Sequence, residues 1–341
     1  MRRNPIIAIT IGDPFGIGAE ITVKALNNIE IYNICRPLVI ADTKIIKDTI
    51  KSTNLKLNVN TIENPKEGLY KFGTVDVIDV MGVSKYSYGE VTIEGGKASF
   101  EYIKKAIELA LKNEIDAVTT GPIHKKAINM AGFHYAGHTE IFADLTNTKS
   151  VCMMLTDKHM RVSHVTTHVP MKAVSEKITK ERVLEVIKLT NNAVKEIGIE
   201  NPKIAVAGYN PHSGEDGLFG DEEITKIIPA IEEAKLEGIL VQGPVPPDTV
   251  FSKMMGKQFD VVVAMYHDQG HIPMKLAGFK FDSETGHMGA MSGVNVTLGL
   301  PIIRTSVDHG VAFEIAGKGI ANHQSMVDSI ILAAKMSNTR K

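Results

Sequence analysis

The 341-residue chain has no tryptophan, two cysteines and 6% aromatic residues. So few aromatic side chains give little support for a base-stacking, nucleic-acid-binding platform. Cys35 and Cys152 are not in a CxxC spacing, so they form no disulfide framework and are expected to be buried thiols. With 38 basic and 39 acidic residues, the net charge is −1, so neither nucleic acid nor an anionic membrane is an expected partner. A small molecule is the expected partner.

A long apolar run is also missing at the start of the chain. The opening "MRRNPIIAITIGDP" offers only a short apolar stretch before Gly12 and Asp13, too short for a signal peptide or a membrane span. We therefore expect a cytoplasmic protein without a membrane partner. The length is enough for about two domains.

Short β-rich runs alternate with helical stretches along the whole chain and predict an α/β fold. The β-rich runs are "PIIAITI", "PLVIAD", "IDAVTTG", "KIAVAGYN" and "FDVVVAMYH". Residues 97–112 and 180–195 have apolar residues at helical spacing and predict amphipathic helices. The residues on these faces are Phe100, Ile103, Ile107, Ala110, Val183, Ile187, Thr190 and Val194.

Polar or glycine-rich segments follow the β-rich runs directly. These segments are "TIGDPFGIG", "TTGPIHKK", "TTHVPM", "GYNPHSGEDGLFGDEE" and "YHDQGH". In open α/β sheets the ligand crevice lies at the carboxyl ends of the strands. The pattern therefore predicts a shared ligand site at these strand ends.

Three of the twelve histidines, His168, His212 and His267, each follow a β-rich run. A lone histidine in such a place is usually a loop or capping residue, but three in equivalent positions suggest a metal site. Neutral imidazole is the commonest metal ligand, and three histidines with an open fourth position make a catalytic zinc arrangement. The residues lie too far apart in sequence for a local motif such as H-E-x-x-H.

Two other polar segments admit a structural and a functional interpretation. His138 and Thr139 stand at a predicted helix start, where backbone N–H groups favour anions, but the threonine could equally be a helix cap. Arg304 follows an apolar segment and suits a bidentate carboxylate or phosphate contact, although a structural ion pair is the alternative. The loop "GDPFGIGAEI" contains Gly12, Gly16 and Gly18, whose spacing does not match the G-x-G-x-x-G dinucleotide motif.

Two segments resemble the isocitrate and isopropylmalate dehydrogenases. The stretch "DHGVAFEIAGKGIANHQSM", residues 308–326, is similar to their adenosine-binding loop, and "GDPFGIGAEI" resembles their N-terminal G-D-G-I-G-P-E loop. Those enzymes oxidise a hydroxy acid with NAD(P) and decarboxylate the product. The resemblance implies their fold, with two α/β domains and the active-site cleft between them.

The closer resemblance, over essentially the whole chain, is to the PdxA family, the 4-hydroxythreonine-4-phosphate dehydrogenases. Nine colinear segments carry it, among them "TTGPIHKKAIN", "NPHSGEDGLFGDEE", "PPDTVF", "AMYHDQGHIPMK" and "GVNVTLGLPIIRTSVDHG". Several of them look nearer to the branch that acts on D-threonate or D-erythronate 4-phosphate than to the vitamin B6 enzyme.

This resemblance implies roles for individual residues. The implied metal ligands are His168, His212 and His267, with zinc the expected ion and manganese, cobalt or magnesium as alternatives. Lys275, Asp248 and Asp268 are the candidates for proton transfer. The implied substrate contacts are His138, Thr139, Lys275, Asn295 and Arg304. The implied cofactor contacts are Gly12, Asp13, Gly16, Gly18, His309, Gly310, Glu314 and Asn322. Because a carboxylate at Glu314 would repel a 2′-phosphate, NAD is expected rather than NADP.

The family also implies a homodimer with a shared active site and a two-domain arrangement. We expect residues 1–128 with 296–341 to hold both termini and most of the NAD site, and residues 129–295 to carry the metal and dimer contacts. One departure from the family is a longer connection, "KFDSETGHMGAMSGV", before Asn295. Residues 280–292, with His287, could form a lid or alter specificity, or they could be an ordinary surface insertion.

The expected reaction is a metal-dependent, NAD-linked oxidation and decarboxylation of a four-carbon 3-hydroxy-4-phosphooxy acid. D-threonate or D-erythronate 4-phosphate, giving dihydroxyacetone phosphate, is the preferred substrate. The alternative is 4-phospho-hydroxy-L-threonine, giving 3-amino-2-oxopropyl phosphate in pyridoxal phosphate biosynthesis. Two other classes remain open: a phosphate acyltransferase on the same fold, and a non-catalytic nucleotide-binding regulator.

Overall fold

The computed structural model describes residues 4–84, 88–278 and 293–340. The chain divides into two compact units, Met1–Val151 with Gly293–Asn295 and Leu300–Lys341, and Cys152–Ser292 with Val296–Gly299. Strands alternate with helices in both, so the predicted α/β class is confirmed. The domain boundaries that we drew from the sequence remain a prediction.

The first unit contains parallel strands, most of them buried. In chain order they are β1 (Ile6–Thr10), β2 (Arg36–Ala41), β3 (Asn58–Ile62), β4 (Thr74–Asp79), β5 (Ala117–Thr120) and, after the second unit, β12 (Ile303–Val307). They lie side by side in the order β3-β4-β2-β1-β5-β12. Strand β1 is buried throughout, as expected for a parallel strand covered on both faces.

Side chains satisfy the first N–H groups at the starts of several helices of the first unit. The helices are α1 (Gly18–Leu26), α2 (Ile29–Ile34), α3 (Thr43–Ser52), α4 (Ile93–Leu111), α5 (Lys125–Met130), α6 (His138–Leu145) and α12 (Gln324–Arg340). Asn28, Asp42 and Thr92 accept N–H bonds at the starts of α2, α3 and α4. The amphipathic helix predicted over residues 97–112 is confirmed within α4, where its apolar face is buried.

The second unit has its own set of strands and helices. Its strands are β6 (Cys152–Thr156), β7 (Arg161–His164), β8 (Ile204–Ala207), β9 (Val241–Val245) and β10 (Val261–Ala264). They lie in the order β6-β7-β10-β8-β9, with β6 antiparallel to β7 and the other neighbours parallel. The helices are α7 (Met171–Lys177), α8 (Lys180–Glu196), α9 (Ile228–Leu236), α10 (Val250–Met255) and α11 (His267–Gly278). The helix predicted over residues 180–195 is confirmed by α8.

The remaining strand, β11 (Val294–Leu298), contributes residues to both units. A π-helical turn at Glu223–Ile227 leads into α9. Within the described ranges, no helix is long and apolar enough to cross a bilayer.

Candidate active site

Four predicted site residues follow the carboxyl ends of neighbouring parallel strands in the second unit. His168 lies beyond β7, His267 beyond β10, His212 beyond β8 and Asp248 beyond β9. These strands are adjacent in the order β7-β10-β8-β9. Since parallel strands end at the same edge, the topology directs all four segments to one edge of this unit.

His168 and His267 come together in the second unit. Their ring centroids are 5.9 Å apart, and both line a hollow of about 220 Å³. The Nδ1 atom of His267 lies 2.6 Å from Oδ1 of Asp268. Metal-bound histidines commonly donate their second ring N–H to a carboxylate, which leaves Nε2 to bind the ion. His168 and His267 could therefore both bind a divalent cation, with Asp268 as the carboxylate that orients His267.

His212 lies in an exposed loop of unusual backbone conformation. Residues 212–216 all have positive φ, from 44° at Glu215 to 86° at Gly214. The buried Glu223 anchors the start of this loop, because its Oε1 accepts the N–H groups of Tyr209 and Asn210, both at 2.7 Å. Within residues 4–84, 88–278 and 293–340, no group of three His, Cys, Asp or Glu side chains is close enough to hold a metal. A three-histidine site therefore remains a prediction.

The rings of two further histidines continue from His267. His271 stacks on His267 with centroids 3.6 Å apart and planes at 11°, and His164 lies 4.8 Å beyond His271. Burial, helped by the neighbouring His271, lowers the pKa of His164 to about 3, so this imidazole is neutral. His271 also places Nδ1 2.9 Å from the carbonyl oxygen of His267. The row therefore packs against the ring of His267, and no sequence pattern indicated His164.

The candidates for proton transfer occupy different places. Lys275 lies half-buried on α11, eight residues after His267, which is about 12 Å along an α-helix. Asp248 is exposed in the loop after β9. Asp268 is 68% exposed and bonded to His267. The identity of the general base stays a prediction.

In the first unit, Arg304 forms the centre of a buried cationic site. It is 2% exposed on β12, its guanidinium donates to Oγ1 of Thr120 at 2.8 Å, and it lies 5.6 Å from the ring centroid of Phe142. Burial lowers the pKa of Arg304 to about 9, while the Glu140 carboxylate acts in the opposite direction. The side chain is still cationic at neutral pH, and the sequence had not indicated Thr120.

His138, at the first position of α6, is close enough to Arg304 for the two to interact electrostatically. Burial and the charge of Arg304 lower the pKa of His138 well below its usual value. Its Nε2 is buried and, like Oδ1 of Asn295, has no hydrogen-bond partner among the described residues. Thr139 follows at the N-terminus of α6, where N–H groups favour anions. A buried imidazole nitrogen without a partner, near a buried cation, suits a bound anionic ligand.

The opening loop, predicted to contact the cofactor, is packed closely against its own unit. A Cβ on Gly18 would overlap the carbonyl oxygen of Ile11, and one on Gly12, whose φ is 73°, would overlap the carbonyl of Pro122. Asp13 is fully buried, and its Oδ1 accepts the N–H of Phe15 at 3.0 Å. Backbone packing thus explains two of the glycines; their contact with a cofactor remains a prediction.

The loop of residues 308–326 leaves its predicted cofactor groups accessible. Glu314 is exposed, and a Cβ on Gly310 would meet nothing within 4 Å. Nδ1 of His309 lies 3.0 Å from the carbonyl of Gly310, and Oδ1 of Asn322 accepts the N–H of Gln324 at the start of α12. An exposed carboxylate such as that of Glu314 can accept hydrogen bonds from the ribose hydroxyls of a dinucleotide. Residues 280–292, with His287, lie outside the described residues.

Comparison with known proteins identifies the family. Residues 33–333 match the family described as "Pyridoxal phosphate biosynthetic protein PdxA". The chain belongs to the PdxA family. A relative from Clostridium botulinum, provisionally named D-threonate 4-phosphate dehydrogenase, is 45% identical over 339 residues, which cover 99% of this chain and 98% of the relative. A similarly named protein of Oceanobacillus iheyensis is 46% identical over 343 residues, covering 100% of both chains.

A solved PdxA-family structure confirms the fold. The crystal structure of a 4-hydroxythreonine-4-phosphate dehydrogenase from Burkholderia phymatum is 42% identical, with a TM-score of 0.85, covering 98% of this chain and 99% of that one. The predicted isocitrate/isopropylmalate dehydrogenase-like fold is thereby confirmed. This PdxA-family chain is a nicotinamide-linked dehydrogenase, so the acyltransferase and the non-catalytic regulator are excluded.

Proposed function

We propose that the chain oxidises the 3-hydroxyl of D-threonate 4-phosphate or D-erythronate 4-phosphate with NAD, and that loss of carbon dioxide then gives dihydroxyacetone phosphate. The observation that carries the proposal is the buried Arg304 guanidinium beside the neutral His138, since this pair suits a substrate with phosphate and carboxylate groups. The names of the C. botulinum and O. iheyensis relatives favour the threonate branch.

We infer that His168, His212 and His267 hold one divalent cation, with zinc the best match to imidazole ligands and manganese, cobalt or magnesium as alternatives. The 5.9 Å separation of His168 and His267 and the bond from His267 to Asp268 support this inference. His212→Ala should remove the bound metal and the activity while the melting temperature changes little. A variant with full metal content and activity would contradict the assignment.

The exposed carboxylate of Glu314 supports NAD rather than NADP as cofactor, because it would repel a 2′-phosphate. Glu314→Gln should raise the affinity for NADP relative to that for NAD. Titration of each cofactor onto the purified protein, without turnover, measures the ratio. An unchanged ratio of the two affinities would show that Glu314 does not determine the choice between NAD and NADP.

The chain's own residues bind and position the substrate in this mechanism. When bound, the nicotinamide would accept the hydride and the divalent ion would lower the pKa of the alcohol and polarise the resulting ketone. Arg304 and His138, with Thr139 and Asn295, bind the anionic groups and fix the orientation of the reacting carbon. Lys275, Asp248 or Asp268 takes the hydroxyl proton, and the protonated group then supplies a proton to the carbon from which carbon dioxide has left.

We also propose a homodimer whose active sites combine residues from both subunits. Among the described residues, two predicted metal ligands come together and no three potential ligands do, which supports a site completed across the dimer. Mixing His168→Ala with His212→Ala subunits tests this arrangement. If the ligands come from different subunits, activity should recover to about a quarter of wild type, since half the dimers are mixed and each regains one site. If one chain supplies all three, the mixture stays inactive.

The substrate is tested by NADH release from purified protein. D-threonate 4-phosphate, D-erythronate 4-phosphate and 4-phospho-hydroxy-L-threonine are supplied separately, with metal and NAD present. Turnover of either sugar-acid phosphate at least about tenfold above the amino acid, in kcat/KM, supports the proposal; a factor of ten corresponds to about 1.4 kcal/mol of transition-state discrimination. Strong turnover of only the amino acid would instead assign the pyridoxal phosphate pathway reaction.

A further inference from the structure

A buried ion pair ties helix α1 to the loop of residues 308–326. Lys24 Nζ lies 2.8 Å from Glu20 Oε1, and the side chains are 18% and 4% exposed, respectively. Both residues are on α1, four positions apart, so they share one helix face. Neither was indicated by the sequence.

The pair binds the backbone of the loop at four further points. Glu20 accepts the N–H groups of Gly319 at 3.1 Å and Ala321 at 2.7 Å. Lys24 donates to the carbonyl oxygens of the same two residues, both at 2.9 Å. The backbone N–H and C=O groups of both Gly319 and Ala321 are thus bonded to one ion pair. These four bonds fix the backbone conformation of the loop at these residues.

A second contact fixes the other side of the same loop. The N–H of Ile17 donates to the carbonyl of Val311 at 3.0 Å, and a Cβ on Gly16 would lie only 2.9 Å from that oxygen. Glu314 lies between the two attachments and is exposed. The opening motif therefore holds a loop segment that presents the carboxylate expected to bind the cofactor ribose.

We propose that Glu20 and Lys24 are positioning residues for the nicotinamide cofactor, holding the loop of residues 308–326 in its binding conformation before the cofactor arrives. The inference rests on the proposed cofactor role of that loop. Without the ion pair, the loop would be ordered only part of the time, and the apparent dissociation constant would rise in inverse proportion to that fraction. Cofactor binding would then include the ordering of the loop.

The variant Lys24→Met keeps the aliphatic packing and removes the ammonium group. We expect NADH affinity, measured by calorimetry on the metal-loaded protein without substrate, to fall about tenfold, equivalent to about 1.4 kcal/mol. The KM for NAD should rise by a similar factor. The kcat at saturating NAD and the KM for the phosphorylated substrate should stay within about twofold, because the loop is proposed to bind only the cofactor.

The double variant Glu20→Gln with Lys24→Met guards against a merely structural effect. Replacing both charges avoids leaving one buried charge alone, so the melting temperature should stay near that of wild type while NADH affinity remains reduced. The matched control is Lys235→Met, which breaks the exposed Lys235–Glu232 pair on α9 and should leave NADH affinity unchanged.

NADH binding distinguishes failure of the positioning role of Glu20 and Lys24 from failure of the proposed cofactor site. If wild type binds NADH and both α1 variants bind it within twofold of wild type, the positioning role is refuted and the cofactor assignment stands. If wild type itself binds no NADH, the proposed function fails, and the positioning role fails with it. Reduced NADH affinity in the double variant, with an unchanged melting temperature and an unaffected Lys235→Met control, supports the inference.

Discussion

Glu223→Gln tests how the loop that carries His212 is held in place. The Glu223 carboxylate is 1% exposed and accepts two backbone N–H groups at 2.7 Å and the Asn210 side-chain amide at 2.8 Å. Hydrogen bonds to a charged acceptor contribute about 1.5–3 kcal/mol each, against about 1 kcal/mol for a neutral one. Since glutamine keeps one carbonyl oxygen for the two N–H groups, we expect a loss of about 2 kcal/mol in unfolding free energy.

The loop has a further reason to rearrange in this variant. Residues 212–216 have positive φ, and a non-glycine residue in the left-handed region costs roughly 1–2 kcal/mol. Release from Glu223 would let these residues return to ordinary conformations and move His212. Metal affinity should therefore fall together with stability, although the substituted residue lies outside the proposed set of metal ligands.

Denaturant unfolding and metal titration measure these two effects separately. Glu215→Gln is the control, because Glu215 lies in the same loop but is exposed, so its substitution should change neither quantity by more than about 0.5 kcal/mol. A Glu223→Gln variant that matches the control in both measurements would refute the anchoring role of Glu223.

Three further substitutions test other parts of the molecule. Burial raises the pKa of the Asp13 carboxyl from 3.8 to about 6, so its contribution to stability is full below pH 3.8 and is lost as the pH rises through 6. Relative to Asp13→Asn, wild type should therefore lose about 3 kcal/mol of unfolding free energy between about pH 4 and 7. Parallel profiles of unfolding free energy against pH for the two proteins would contradict this. Thr120→Val removes one hydrogen-bond acceptor of Arg304 and should raise the substrate KM about tenfold with little change in kcat or in the KM for NAD. A Cβ on Gly270 would overlap Nε2 of His164, so Gly270→Ala should cost about 1–3 kcal/mol in a thermal unfolding experiment; an unchanged melting temperature would show that His164 moves aside.

Periodicity predicted the helices over residues 97–112 and 180–195 because their buried faces repeat at regular spacing. Phe100 and Ile107 on α4, for example, are 7% and 2% exposed. The position of a polar residue just after a buried strand was equally informative, since the strand order brings His168 and His267 to neighbouring strand ends. Both signals depend only on residues that are close together in sequence, so they can be found without knowledge of the fold.

The supporting residues were beyond prediction because their partners are remote in sequence and their chemistry is ordinary. Glu20 bonds to Ala321, and Thr120 bonds to Arg304. An isolated glutamate or threonine gives no indication of a partner that is far along the chain. The glycines of the opening loop show the same limit, because no local pattern predicts that Gly18 packs against the backbone of Ile11, and their contact with a cofactor remains a prediction.

The residues expected to touch ligands and the residues that hold them should respond differently to substitution. Loss of His267 or Arg304 would remove a group proposed to act on the metal or the substrate, so activity should fall even at saturating ligand. Loss of Glu20 or Thr120, which are proposed to position such groups, should leave the groups themselves present but correctly placed less often, and saturating ligand should then restore activity. Measuring affinity and kcat separately, and not total activity, therefore distinguishes the two kinds of residue in this chain.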